Sequence, residues 1–187
     1  MAAVVLGIDV GIVNLAGTVV FFDENNAPVS ANCARVSISS SKDPVNLVIE
    51  NLVSFLRDSD IFSNREITRV VIEQQLARAP KNMAVYGALT AYYHHCRSIG
   101  TLPRLVAVET LIAREKFNRI RNSAYFSSGI GDVFTTREVK KRSVKAFSVD
   151  LARQICRENH AFLQVWNAIQ NEKKKDDLAD SFIMAIS

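Results

Sequence analysis

Long apolar runs are missing from this chain of 187 residues, so no stretch of it is suited to crossing a membrane as a helix. The N-terminus lacks a basic segment ahead of its apolar run, and no signal peptide is expected. Cysteine is scarce. Cys33, Cys96 and Cys156 are odd in number and far apart, which suits reduced thiols in an intracellular setting, not a disulfide framework. His94 and His95 stand beside Cys96, but no second Cys/His cluster exists to complete four ligands, so these read as ordinary helix residues and not as a zinc site. With 7 glycines the chain has too few for the several glycine-rich loops of a nucleotide-binding protein, and no nucleotide cofactor is expected. No repeat, low-complexity tract or clean linker is found either. What is present is 48% hydrophobic content, enough for one core, most simply as a single domain over residues 1–187.

Four acids in separate parts of the chain fall where regular structure would hold a carboxylate rigidly. Asp9 lies in VVLGIDV, a run too apolar on both faces for a surface strand, which places it near the end of a central one. An ionised carboxylate there is costly without a partner. Glu73 repeats the arrangement at the end of RVVIE, so two strand-end acids can meet side by side. Asp177 and Asp180 open a helical pattern whose apolar stripe is Leu178, Phe182, Ala185 and Ile186; their spacing sets both carboxylates on one face. Taken singly, each acid reads as a turn former, a surface acid or an ally of the helix dipole. Taken together they need compensation that one shared cation would supply. Oxygen donors without cysteine or histidine point to Mg2+ or Mn2+. Asp176 stands as the rival to Asp177, either as a ligand or as an N-cap.

The formal charge of +4 is unevenly spread. Residues 1–75 carry 5 basic and 9 acidic side chains, whereas residues 113–145 carry 9 basic and 3 acidic. Within the latter, NRIRNSAYFSSGIGD reads as a mobile loop over about 119–132, leading into the basic helix start REVKKRSVK. Arginines and lysines with Tyr125 and Phe126 between them suit a phosphate backbone and exposed bases, so nucleic acid is the leading partner. The candidate contacts are Arg78, Lys81, Arg119, Arg121, Lys140, Arg142 and Lys145. The run Lys173–Lys175 reads equally well as a solvated face or as a DNA contact.

The pattern predicts strands near 3–10, 16–22 and 32–38, with DENNAP as the turn between the last two. Asp43 and Pro44 suggest an N-cap and first helical residue ahead of Val45, Val48, Ile49, Leu52, Val53 and Leu56. A strand near 67–73 follows, then a helix over about 81–99 with Val85, Leu89, Tyr92, Cys96 and Ile99 on one stripe. A fifth strand is expected over Arg104–Val108, a long helix over about 136–158, and a short one around Phe162, Val165, Trp166 and Ile169 before the acidic terminal helix.

This order, three strands in a meander and then helix, strand, helix, strand and helix, is that of the ribonuclease H-like α/β fold, a five-stranded mixed sheet flanked by helices. GIDVG followed by Asn14, IEQQ with Arg78 and Pro80 downstream, KKRSVKAF and KKDDLADSF resemble, in order and approximate spacing, the Holliday junction resolvases of the poxvirus and iridovirus type, relatives of bacterial RuvC and the fungal mitochondrial resolvases. The resemblance runs from Asp9 to Phe182 and is expected mainly in large DNA viruses, which implies work at sites of viral DNA replication in host cytoplasm or nucleus. It implies that Asp9, Glu73, Asp177 and Asp180 hold two divalent ions, and that Lys141, with Lys140 as its rival, is the catalytic lysine near the scissile phosphate. IVN follows Gly11 where many relatives carry a basic residue, which puts one DNA contact in doubt.

The implied reaction is hydrolysis of a phosphodiester by water, two ions serving the attacking and leaving oxygens and leaving 5′-phosphate and 3′-hydroxyl ends. Two symmetric nicks around a four-way junction imply a homodimer. The helix bearing Tyr92 and Tyr93 either forms that interface or packs both rings on the sheet. Three rivals remain: an actin-like ATPase fold, suggested by GIDVG alone; a related nuclease acting on structured RNA; and a junction-binding protein without activity.

Overall fold

Alternation along the first strand organises the molecule. The computed structural model describes residues 2–75, 77, 79–121 and 144–187, apart from the side chains of residues 113, 114, 121 and 144. Strand β1 is Val4–Asp9, β2 Leu15–Phe22, β3 Pro28–Val36, β4 Arg69–Glu73 and β5 Ala107–Leu111. They form one sheet in the order β3-β2-β1-β4-β5, antiparallel across β3, β2 and β1 and parallel across β1, β4 and β5. The central position of β1 explains why it is apolar on both faces.

Successive side chains of a strand point to opposite faces. Val4, Leu6 and Ile8 of β1, with Val70 and Ile72 of β4, join Val48, Leu52 and Leu56 of helix α1 (Val45–Asp58) and Val85, Leu89 and Tyr93 of helix α2 (Pro80–Ile99) in one core. Val5, Gly7 and Asp9 therefore face the other way, as do Val71 and Glu73. That second face is covered by α4 (Val144–Glu158), α5 (Leu163–Asn171) and α6 (Lys175–Ile186), with α3 (Ala113–Arg121) alongside. Val71 and Val5 meet Met184 of α6 there.

The terminal helix is more deeply set than its stripe suggests: nine of its residues, including Asp177 and Ser181, are buried. Gly7 is the reason. A Cβ built on it would lie 2.2 Å from the Ser181 carbonyl oxygen and 2.6 Å from the Ala185 nitrogen, so only a strand without a side chain at this point admits the α6 backbone. The buried Thr18 hydroxyl of β2 completes the seat with a 2.8 Å hydrogen bond to Ser181 Oγ.

Several boundaries differ from those expected. The β2–β3 hairpin closes tightly, because the Asp23 carboxylate accepts from the Asn25 and Ala27 amides and Asn26 adopts φ 59°; β3 thus starts at Pro28, tolerated on an edge strand. Strand β5 lies at Ala107–Leu111 instead of Arg104–Val108, since Leu102 and Leu105 turn into the core and the ladder to β4 opens only at the Arg69–Ala107 pair. Asp43 does not cap α1: its carboxylate takes the Ser40 amide at 2.8 Å, and Pro44 holds the cap position. On α2 it is Tyr93, not Tyr92, that is fully buried, and Ile99 is exposed. Helix α3 was not expected. The start of the helix predicted over 136–158 lies outside the described residues.

Candidate active site

Parallel pairing sets the first two acids together. Ile8 of β1 lies opposite Ile72 of β4, so Asp9 and Glu73, one step further, end neighbouring strands on the face turned to α6. The first turn and a half of α6 brings Asp177 and Asp180 over them. All four carboxylates line one cleft of about 390 Å³, together with Asp176, Lys116 and Lys145.

The acids do not share one environment. Burial lifts the Asp9 carboxyl well above its ordinary range, and a hydrogen bond and charge from Glu73, then the charge of Asp180, lift it further against the pull of Lys116. Asp180 is also raised by burial, opposed by Lys116 and by a hydrogen bond from Ser148. Asp177 is raised by burial and by the neighbouring charge of Asp176. Its Oδ2 is buried and has no hydrogen-bond partner among the described residues, a costly state for a carboxylate oxygen. Asp176 behaves differently: burial pushes it up, but its bond with Lys145 outweighs this and leaves it below its ordinary value. Lys145 is correspondingly raised, first by that bond.

A lysine lies inside the cluster. Lys116 of α3 is 1% exposed; its Nζ sits 2.7 Å from Asp180 Oδ1 and 3.4 Å from Glu73 Oε1. Burial pulls its pKa down, yet the charges of Asp180 and Glu73 prevail and raise it, so it is a cation. Sequence reading missed Lys116. Its one signal is the spacing to the buried Ile120, four residues on, which puts a lysine on the inward stripe of a short helix. Among the described residues no three Asp, Glu, His or Cys side chains are arranged to hold an ion together as they stand.

The predicted basic residues are dispersed. Lys145 pairs with Asp176 at the cleft rim, its side chain 71% exposed. Arg119 of α3 is bound to Glu109 of β5 at 2.6 Å. Lys81 donates to the carbonyls of Ser41 and Asp43 at 2.6 and 2.7 Å, fastening α2 to the loop between β3 and α1. Arg78, Lys140, Lys141 and Arg142, as well as the Arg121 side chain, lie outside the described residues, as does most of the loop expected over 119–132. A second unforeseen group is Arg35 of β3, which donates to Asn14 Oδ1 and, at 3.0 and 2.6 Å, to Glu172 Oε2. It thereby sets a guanidinium beside the turn that lacks a basic residue of its own.

No protein-family model matches the chain, and no curated protein does. Solved structures do. The fold is ribonuclease H-like, with the layout of several resolvases. The yeast mitochondrial Holliday junction resolvase Ydc2 matches with a TM-score of 0.59 at 16% identity, over 98% of this chain and 77% of that one. RuvC of Thermus thermophilus gives 0.59 at 16%, over 100% and 92%. Fowlpox virus resolvase, solved with substrate Holliday junction DNA, gives 0.51 at 13%, over 97% and 93%. At these identities the likeness is one of fold.

Proposed function

We propose that the chain is a metal-dependent endonuclease that resolves four-way DNA junctions. The observation that carries this reading is the convergence of Asp9, Glu73, Asp177 and Asp180, from two strands and a helix, in one cleft at the end of the sheet. The resolvase layout of the neighbours supports it, and one of them is a complex with the proposed substrate.

The donor set fits a hard divalent cation. Every side-chain ligand is a carboxylate, and the partnerless Asp177 Oδ2 is the kind of buried oxygen a cation would satisfy. Asp9, Glu73, Asp177 and Asp180 would hold Mg2+ or Mn2+, and Asp177 is the better ligand than Asp176, whose charge Lys145 already takes. Such ions supply a more acidic water and a Lewis acid for the phosphodiester oxygens. The chain's own residues do the rest. Lys145, exposed at the rim, attracts the DNA phosphate. Lys116, inside the cleft, offsets anionic charge next to the reacting group, the part the sequence resemblance gives to Lys141. Water is the nucleophile, and the products carry 5′-phosphate and 3′-hydroxyl ends.

Two centres related by a twofold axis would place the paired nicks, so a homodimer is part of this reading. Tyr93 is spent on the core and Tyr92 on a bond to Ser63, which leaves the exposed face around Gly87 and Ala91 of α2 for the interface. Sedimentation showing only a 20.8 kDa species at micromolar concentration would count against it.

The test is cleavage of a synthetic four-way junction, set beside duplex, flap and structured RNA substrates, with Mg2+ and then with chelator. Asp9→Asn is expected to abolish cutting while leaving junction affinity intact. Preference for structured RNA, or undiminished cutting by D9N, overturns the proposal.

A further inference from the structure

The cleft already contains a cation of its own, in contact with the groups that would bind the divalent ions. Asp9, Glu73 and Asp180 form an anionic cluster, and the Lys116 ammonium sits within ion-pair distance of two of them, with almost no exposure to water. An ammonium is this deeply buried only where carboxylates compensate it. The backbone that carries it is fixed: α3 follows β5 directly, the Glu115 amide is bonded to the Ile112 carbonyl at 2.8 Å, Phe117 stacks edge-on against Phe147 of α4 at 4.9 Å, and Ile120 is buried. What can move is the four-carbon stem. The contact also opposes a divalent ion, because two cations on the same carboxylate repel each other. Mg2+ demands oxygens at about 2.0–2.1 Å in near-octahedral geometry, and an ion so close to Asp180 Oδ1 would share that oxygen with an ammonium only 2.7 Å away.

We propose that Lys116 is a built-in counter-cation that competes with the divalent ion, so that filling the site requires its ammonium to leave Asp180 and Glu73. This rests on the metal-dependent reading above and deepens it. Lys116 keeps the empty cluster folded and lowers its affinity for free ions. Once displaced, the ammonium remains in the cleft, where the DNA phosphate would be its next anionic partner. The exchange also gives an account of why, among the described residues, no three acids are poised as an ion site: Glu73 and Asp180 are turned to Lys116.

The experiment is Mn2+ and Mg2+ titration by calorimetry, paired with thermal melts in chelator and in metal, on the wild-type chain and Lys116→Met. K116M is expected to bind the ion at least ten-fold more tightly and to show a larger metal-induced rise in Tm, from a lower starting point in chelator. Equal or weaker binding by K116M overturns the inference alone, since wild-type binding would leave the metal site standing. Absence of binding in both proteins overturns the metal reading and the inference with it. Should K116M fail to fold, acylation of Lys116 in the wild-type chain, read by mass spectrometry, decides the matter. The lysine is expected to be protected in chelator and several-fold more reactive with Mn2+; equal or lower reactivity with Mn2+ overturns the exchange.

Discussion

Gly7→Ala tests whether the seat of α6 sets the site. The added methyl would meet the Ser181 carbonyl oxygen at 2.2 Å and the Ala185 nitrogen at 2.6 Å, both backbone atoms. Ordinary contact begins at 3.4 Å, so the helix must lift by about 1.2 Å, as no side chain can give way. Overpacking of this kind costs roughly 1–3 kcal/mol. The lift also pulls Ser181 off Thr18, a buried bond worth about 1 kcal/mol. For a domain of this size, the total of about 2–4 kcal/mol lowers Tm by roughly 5–15 °C. Asp177 and Asp180 ride on the same helix, and a displacement of about 1 Å can cost on the order of 100-fold in rate. Nicking must then be assayed well below the variant's own Tm, so that lost rate is not lost fold. Gly17→Ala is the control: its methyl would meet the Phe62 ring at 2.4 Å, on the face of the sheet opposite to the acids. It should lower Tm yet spare the specific activity of the folded fraction. A G7A protein with wild-type melting and nicking would refute the argument.

Two further expectations concern ionisation. Asp9 has a folded pKa above its ordinary 3.8, so the unfolded chain releases that proton first as pH rises. The stability tied to it is complete below 3.8 and is lost as pH climbs through the raised value; in chelator, the difference in urea midpoint between wild type and D9N should therefore fall from acid to neutral pH, and a rise would contradict it. Burial lifts the Cys33 thiol to about 11 and the Cys156 thiol to about 12, so iodoacetamide at pH 7.5 should modify both only after denaturation, and rapid alkylation of the native chain would contradict the packing around them.

The fold was legible because its signals were periodic. A strand apolar on both faces had to be central, and β1 is; acids closing two such strands had to be neighbours if the strands were, and parallel pairing makes them so. The spacing of Asp177 and Asp180 likewise carried over intact to α6. Boundaries were lost where side chains outside the pattern decide them, as with Asp23 in the hairpin or Leu102 and Leu105 before β5. Tyr93 displaced Tyr92 because its hydroxyl finds the Phe62 carbonyl at 2.8 Å inside the core, a partner 31 residues away that no local window contains.

Lys116 shows the deeper limit. A lysine in a basic stretch reads as a solvated charge, because a lysine alone is almost never buried. It becomes buriable only once three acids from positions 9, 73 and 180 have been gathered by the sheet and by α6, so its place depends on tertiary contacts and not on local pattern. The same dependence works in reverse. Acids that ended apolar strands implied a cation to offset them, and in this chain part of that compensation is an ammonium from α3. A divalent ion would therefore enter a cluster whose charge is already partly balanced. Its binding would depend on how readily that balance is exchanged, and on the proposed exchange the depth of Lys116 sets this as much as the number of carboxylates.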